Sequence, residues 1–340
     1  MTATVSTPET GPGSGAGSEA LSRHLAIRAC PECASALRRV SDRLVCAQGH
    51  AHPIREGIPR FVPTQAYAGS FGFQWKTLGR LQLDSVNGTS FSAARFRDIT
   101  GWGDADLRGR LVLDAGCGAG RFAEVVARQF GADLVAFDLS DAVEACRENL
   151  MPDPPLVCQA SIYATPFRPR SFDFVYCIGV IQHTPDPIES IRSLARLVRP
   201  GGRIGLWIYE ADWKSYVGTL GFKRLLRPMV SRWPRARQLA FSRALTRTFF
   251  PAVRVLRPLG LAGKAGTRLL PVAAGHLLEL PITNEQLREW VLLDTFDMYA
   301  SAYDQPQRYP AVARVLAEEG FTDITRHPHG AVAVTGRRPG

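Results

Sequence analysis

The run Asp114-Ala115-Gly116-Cys117-Gly118-Ala119-Gly120 sets one carboxylate beside three alternating glycines. Apolar residues lead into it from Leu111 and an amphipathic stretch follows from Arg121, so the segment reads as strand, tight loop, helix. Glycines in such a loop remove the Cβ atoms that would otherwise stand between backbone and ligand. Asp138 closes the next apolar run, 22 positions after Gly116, where a carboxylate can accept from both hydroxyls of a ribose. A dinucleotide is one candidate ligand. Its pyrophosphate fits poorly, because the spacing is GxGxG and not GxGxxG, and because Asp114 repels a diphosphate. A nucleoside bearing an amino-acid ammonium and a sulfonium offers two cations and no phosphate. A glycine turn with no ligand at all leaves Asp138 and the flanking strand and helix without a reason.

S-adenosylmethionine has those two cations. Val112 to Phe122, Asp138 and the later Pro200-Gly201-Gly202 turn resemble the class I S-adenosylmethionine-dependent methyltransferases, the methyltransferase type 11 group in particular, over Arg110 to Tyr209. The resemblance implies an α/β fold, a Rossmann-like doubly wound sheet of seven strands with the last antiparallel. It also implies cofactor contacts from Asp114, Gly116, Cys117, Gly118, Gly120, Asp138, Leu139, Ile162 and Ile178. Ser161 stands where many relatives have an aspartate for the adenine amino group, leaving that contact to Ser161 or to backbone groups. In similar proteins Ile178, Gly179 and Val180 back the methionine part, and His183 follows three residues on. Methyl transfer is an in-line displacement from which a proton must also leave, and an imidazole suits that base role. The alternative is a His183 that only hydrogen-bonds its own loop. Cys177-Ile-Gly-Val lacks the Asn/Asp-Pro-Pro-aromatic grip used on exocyclic amines of nucleic-acid bases, which argues against that reaction.

A second constellation lies near the N-terminus. Cys30-x2-Cys33 and Cys46-x3-His50 are separated by twelve residues, and two such pairs can converge on one tetrahedral zinc ion. Four protein ligands leave no open position for water, so the expected role is structural; His52 is a substitute for His50. The other four of the seven cysteines are scattered through apolar segments, which does not read as a disulfide framework. The module resembles the zinc-binding segment of rRNA guanine methyltransferases, and Pro53-Ile-x-x-Gly-Ile-Pro59 resembles a small zinc-ribbon activator that binds several methyltransferases.

These groups need elements to hold them. Expected strands are 111–114, 134–138, 156–159, 172–177 and 203–209, alternating with helices 121–130, 141–149 and 187–197; a helix 310–318 and strands 321–326 and 331–336 close the pattern. The chain divides into a disordered leader 1–27 rich in Ser, Gly and Pro, a zinc module 28–63, and a connecting, cofactor-covering segment 64–109. A core 110–210, a basic helical lid 211–281 and a C-terminal return to the core, 282–340, follow. Segment 64–109 is expected to bring Trp75 and Arg95 to the cofactor.

The net charge of +10 comes from one place. Between Trp213 and Leu278 there are thirteen Lys or Arg and no Asp or Glu; elsewhere 28 basic residues are outnumbered by 31 acidic ones. That stretch fits an RNA-tracking surface, a lid over a small acceptor, or a face for an anionic partner or membrane. Its Leu and Phe content favours the lid, whose expected consequence is a small-molecule acceptor methylated at O, N or C. The 292–299 segment, like Phe71-Gly-Phe-Gln-Trp75 and Arg95-Phe96, resembles a bacterial type 11 subgroup, which implies a natural product or sugar. An RNA methyltransferase is the alternative. Asp294, Tyr299 and Tyr303 follow the lid and are candidates for lining the acceptor pocket. No apolar run is long enough to span a bilayer and no secretory signal is visible, which makes a cytoplasmic protein the expectation and leaves its oligomeric state open.

Overall fold

The computed structural model describes residues 26–62, 79–211 and 219–340. Trp75 and almost all of the expected leader lie outside the described residues. Four short strands, β1 (Leu37–Val40), β2 (Arg43–Cys46), β3 (Ala51–Arg55) and β4 (Ile58–Pro59), form an antiparallel sheet in sequence order. This sheet is fastened to the main one: Arg60 bridges Gln159 in parallel, and the Phe61 N–H donates to the Gln159 carbonyl at 2.8 Å. Arg60, buried, adds side-chain bonds to Gln159 at 3.0 Å and to Glu144 at 2.7 Å.

The main sheet contains β5 (Leu111–Ala115), β6 (Asp133–Asp138), β7 (Leu156–Gln159), β8 (Phe172–Ile178), β9 (Val198–Ile208), β10 (Thr322–His327) and β11 (Val332–Arg337). Their spatial order is β10-β11-β9-β8-β5-β6-β7. Strands β5 to β9 pair in parallel, and β11 runs antiparallel between β9 and β10. Both faces of the central strands are covered, which is why β5 and β6 read as almost unbroken apolar runs. On one face α1 (Phe91–Thr100) and α2 (Arg121–Glu124, continued by a π-helical turn Val125–Gln129) pack Phe96 and Val126 onto Val112 and Tyr176, joined by α3 (Ala142–Asn149). On the other, α4 (Pro187–Ala195) and α9 (Tyr309–Glu318) pack Ile191 and Val312 onto Leu113 and Val175. Asp186 caps α4, accepting from the Ile188 and Glu189 N–H groups, with Pro187 in the first turn. The order of connection reverses between β5 and β8, so the loops leaving these two strands diverge and open a crevice.

The insertion after β9 is helical: α5 (Thr219–Val230), α6 (Arg235–Leu256), α7 (Gly260–Thr267) and then α8 (Asn284–Ala300), which starts at a capping box of Thr283 and Gln286. Pro228 and Pro251, which interrupt the apolar pattern of the insertion in the sequence, lie inside α5 and α6. The cost of Pro251 is offset by packing, because Phe250 and Val253 join a core with Leu287, Trp290 and Val291 of α8. Likewise β9 begins at Val198, so Pro200-Gly201-Gly202 falls within the strand and does not precede it.

Candidate functional site

The crevice at the strand reversal opens into a cavity of about 570 Å³, walled by the glycine loop, the end of β8 and the lid helix α8. Gly116, Cys117, Gly118 and Ala119 form one side of it. Gly116 has φ +87°, and a Cβ there would lie 2.4 Å from Val180 Cγ2, so the loop closes tightly on the residue that follows β8. Asp138, Leu139, Ala160 and Ile162 continue the wall from β6 and β7. The Asp138 carboxylate accepts from the Gly118 N–H at 3.0 Å and from the Ser140 N–H and hydroxyl at 2.8 and 2.7 Å. These bonds aim one oxygen-rich group across the loop while burial raises its pKa.

Asp114, 3% exposed, is the last residue but one of β5, two positions before Gly116. Its Oδ2 has no hydrogen-bond partner among the described residues. Burial pushes this carboxyl up to about 7; the negative Asp138 adds to the rise and the Tyr176 hydroxyl opposes it. A buried carboxylate in that state is stabilised by an incoming cation. The lining fits part of a nucleoside carrying an amino acid, with acceptors at Asp138 for hydroxyls and an apolar slot at Leu139 and Ile162 for a base; Asp114 is buried and is not among the residues that line the cavity.

Beyond β8 the cavity becomes polar. His183, 6% exposed, directs Nδ1 at the Tyr303 carbonyl, 3.0 Å away, and Nε2 lies 3.9 Å from Asp297 Oδ2. The Tyr209 ring stands edge-on to the imidazole, with centroids 5.5 Å apart, and its hydroxyl is 3.5 Å from the same Asp297 oxygen. Burial raises the Asp297 carboxyl pKa, and His183 and Lys223 pull it back down. Trp290, Asp294 and Asp297 recur at helical spacing along α8 and all reach the cavity. Asp294 accepts from, or is approached by, His276 Nε2 at 2.9 Å.

Two guanidinium groups also line the cavity. Arg95, from α1, stacks over Trp207 at 4.9 Å. Arg121 lies within 5.0 to 5.4 Å of the Phe122, Trp290 and Phe91 rings and donates to the Ser92 hydroxyl at 3.0 Å. Burial, and then repulsion from Arg95, bring the Arg121 pKa down to about 9. Sequence reasoning did not single out Arg121, Trp290, Tyr209, Lys223 or His276. The signal for the first lay in its position directly after the last loop glycine; the others depend on how the lid folds.

The sequence-predicted residues are thus only partly brought together. Gly116, Cys117, Gly118, Asp138, Leu139, Ile162, Ile178, Arg95, His183 and Asp294 meet at the cavity, and Gly120 lies at the loop's far end with φ +92°. Ser161 does not line the cavity and accepts from the Tyr163 N–H at 3.2 Å. Tyr299 is corrected: it is fully buried away from the cavity, its hydroxyl donating to the Pro271 carbonyl at 3.1 Å, because its face of α8 packs on Val230 and Phe241. Tyr303 contributes its backbone carbonyl to His183, while its side chain is exposed and does not line the cavity.

At the N-terminus Cys30, Cys33, Cys46 and His50 converge with their ligand atoms within 4.8 Å of one another. Cys33 Sγ is 3.7 Å from Cys46 Sγ, and His50 Nδ1 is 3.4 Å from Cys46 Sγ and 3.5 Å from Cys30 Sγ. A tetrahedron with zinc–sulfur bonds of about 2.3 Å has edges of about 3.8 Å, so this set fits zinc. His52, whose Nε2 is 3.6 Å from Cys30 Sγ, lies just outside it.

Residues 113–206 match a family model described as a methyltransferase domain. The ubiquinone biosynthesis O-methyltransferase of Neisseria meningitidis serogroup C is 36% identical over 120 residues, which is 34% of this chain and 50% of that protein. This chain therefore spans about half the length of that relative. The protein of the same name from Stutzerimonas stutzeri is 29% identical over 168 residues, 44% of this chain and 72% of its own. Among solved structures, human N-acetylserotonin methyltransferase in complex with S-adenosylmethionine aligns with a TM-score of 0.43 at 16% identity, covering 82% of this chain and 61% of its own.

Proposed function

We propose, starting from a chain that carries a class I S-adenosylmethionine-dependent methyltransferase domain, that it methylates a small-molecule acceptor bound under the helical lid. The bound cofactor supplies a methyl group on a sulfonium, open to in-line displacement. Asp114 draws in the ammonium, Gly116 to Gly120 admit the methionine part, Asp138 takes the ribose hydroxyls, and Leu139 and Ile162 enclose the adenine. Arg95 is placed to hold the cofactor carboxylate. His183 holds the proton that leaves the acceptor, and Asp297 steadies the resulting imidazolium. The observation that carries a small acceptor is the cavity beside the glycine loop, walled on the lid side by Trp290, Asp294 and Asp297 of α8. An RNA chain needs an open basic track, whereas the polar groups here point inward.

The discriminating experiment supplies labelled S-adenosylmethionine separately with total RNA and with a small-molecule extract. Label is expected in the small-molecule fraction. Label in RNA that disappears when arginines of 224–268 become alanine overturns the proposal.

The pH dependence of cofactor affinity tests Asp114. Its carboxyl is neutral below about 7 in the empty protein, so ammonium binding must expel a proton there. The raised value favours the empty fold at low pH, and that advantage fades as pH rises through about 7. Affinity for S-adenosylhomocysteine, by calorimetry, is expected to rise up to about tenfold per pH unit toward pH 7 and then level off; Asp114→Asn is expected to flatten the profile.

The Cys30, Cys33, Cys46 and His50 set is proposed to hold a structural zinc ion, since four protein ligands leave no site for catalysis. Metal analysis is expected to give about one ion per chain, falling below about half in Cys46→Ser.

A further inference from the structure

The inner face of helix α5 mixes charge with apolar residues: Leu226 and Val230 pack against Tyr299, while Lys223 ion-pairs with Asp304 at 2.7 Å and sits 5.2 Å from the Tyr209 ring at the cavity wall, and Arg227 donates to the Ser301 carbonyl at 2.8 Å. Its outward side carries Phe222, Leu225 and Met229, exposed by 37%, 75% and 50%. Their spacing of three and four places them on one stripe. A helix that merely meets water presents the opposite pattern.

A second apolar outcrop lies at the corner of α6 and α7, where Val255 and Leu261 are 70% and 81% exposed, with Leu259 between them and Leu269 just beyond α7. Seven of the eleven exposed large apolar residues among those described fall in this one insertion. The same insertion holds thirteen Lys or Arg and no acid between Trp213 and Leu278. No helix of the described residues is long and apolar enough to cross a membrane.

Three kinds of occupant use these features differently. RNA would engage the charge but gain nothing from Leu225 or Leu261. A second copy would cover the apolar stripe but bring one acid-free basic insertion against another. An anionic bilayer surface satisfies both, taking apolar side chains at the acyl boundary while guanidinium groups meet phosphates. We propose that the outward stripe of α5 and the α6–α7 corner dock the protein on an anionic lipid surface. The proposal extends to the acceptor, resting there on the methyltransferase reading: the substrate is an amphiphile that reaches the cavity from the lipid, because α5 faces lipid on one side and the cavity on the other.

The full chain is sedimented with vesicles of phosphatidylcholine alone and of phosphatidylcholine with phosphatidylglycerol, at low and high salt. It is expected to pellet with the mixed vesicles, less so as salt rises, and weakly with the neutral ones. L225D/M229D is expected to lower partitioning at least about tenfold while S-adenosylhomocysteine affinity stays unchanged. V86D, at an exposed valine outside the insertion, is expected to pellet like the parent chain. Failure of the parent to pellet with mixed vesicles overturns the docking surface. So does pelleting that L225D/M229D leaves intact, or a concentration-dependent dimer that this variant dissolves. Label from the cofactor is expected in the organic phase of a lipid extract; label confined to the aqueous phase overturns the amphiphilic acceptor. Loss of the methyltransferase reading would show separately, as a parent chain that binds vesicles but not S-adenosylhomocysteine.

Discussion

His183→Ala is expected to slow methyl transfer by about 100- to 10,000-fold, the range for a lost general base, while leaving S-adenosylhomocysteine affinity unchanged. The tautomer supports this. A carbonyl oxygen only accepts, so the ring nitrogen 3.0 Å from the Tyr303 carbonyl carries the hydrogen, and Nε2 becomes the basic atom. Asp297, 3.9 Å from Nε2, favours the charged ring once a proton has been taken. Asp297→Asn is therefore expected to show a smaller loss in kcat with the same cofactor affinity. Single-turnover rates with the acceptor found by label transfer, set beside calorimetry, make the check. Should His183→Ala weaken cofactor binding in step with the rate, the residue merely supports the loop after β8 and the base role is wrong. An electron-rich carbon acceptor would give a reduced effect, since attack then precedes proton loss.

Gly116→Ala is the companion prediction, with the effect on binding instead of chemistry. At φ +87° an alanine costs about 1–2 kcal/mol in backbone strain alone. Its Cβ would also meet Val180 at 2.4 Å, a separation that neither side of the crevice tolerates without moving. Because the loop and the end of β8 wall the same cavity, that movement reshapes the cofactor slot. S-adenosylhomocysteine affinity is expected to fall at least about 100-fold, with retained circular dichroism and without the ligand-induced rise in Tm expected of the parent chain. A Val180→Ala change in the same background removes the two closest contacts but leaves the residue 180 Cβ at 3.0 Å and the strained φ, so it is expected to restore affinity in part. Undiminished affinity in Gly116→Ala would mean that the ligand does not lie over this loop.

The lid gives the two proposals on substrate a common structural basis. Helix α8 places Trp290, Asp294 and Asp297 on the cavity, and α5 closes the adjoining wall through Lys223. An acceptor bound against these helices, as proposed, would shed part of its water on the way to His183, which would strengthen the charge interactions around it. The same helices carry the basic residues that made RNA an alternative, yet Lys223 and Arg227 are spent inside the fold.

What the linear order of residues determined was local. Asp114 to Gly120 with Asp138 declared a strand, a glycine loop and a carboxylate closing the next strand, because the positive φ and close backbone approach at Gly116 favour glycine. The Cys30, Cys33, Cys46 and His50 spacing likewise announced convergent ligands, and alternation of apolar runs with amphipathic stretches announced the sheet. Tertiary structure alone decided which way each helix faces. Periodicity grouped Trp290, Asp294 and Asp297 no more strongly than it grouped the buried Tyr299, and it could not tell that α5 points Lys223 inward and Leu225 outward. Nor could it see that Pro251 continues a helix when α8 packs along it. Such outcomes depend on contacts between residues far apart in the chain, and burial energy from those contacts outweighs the local preferences that a sequence displays.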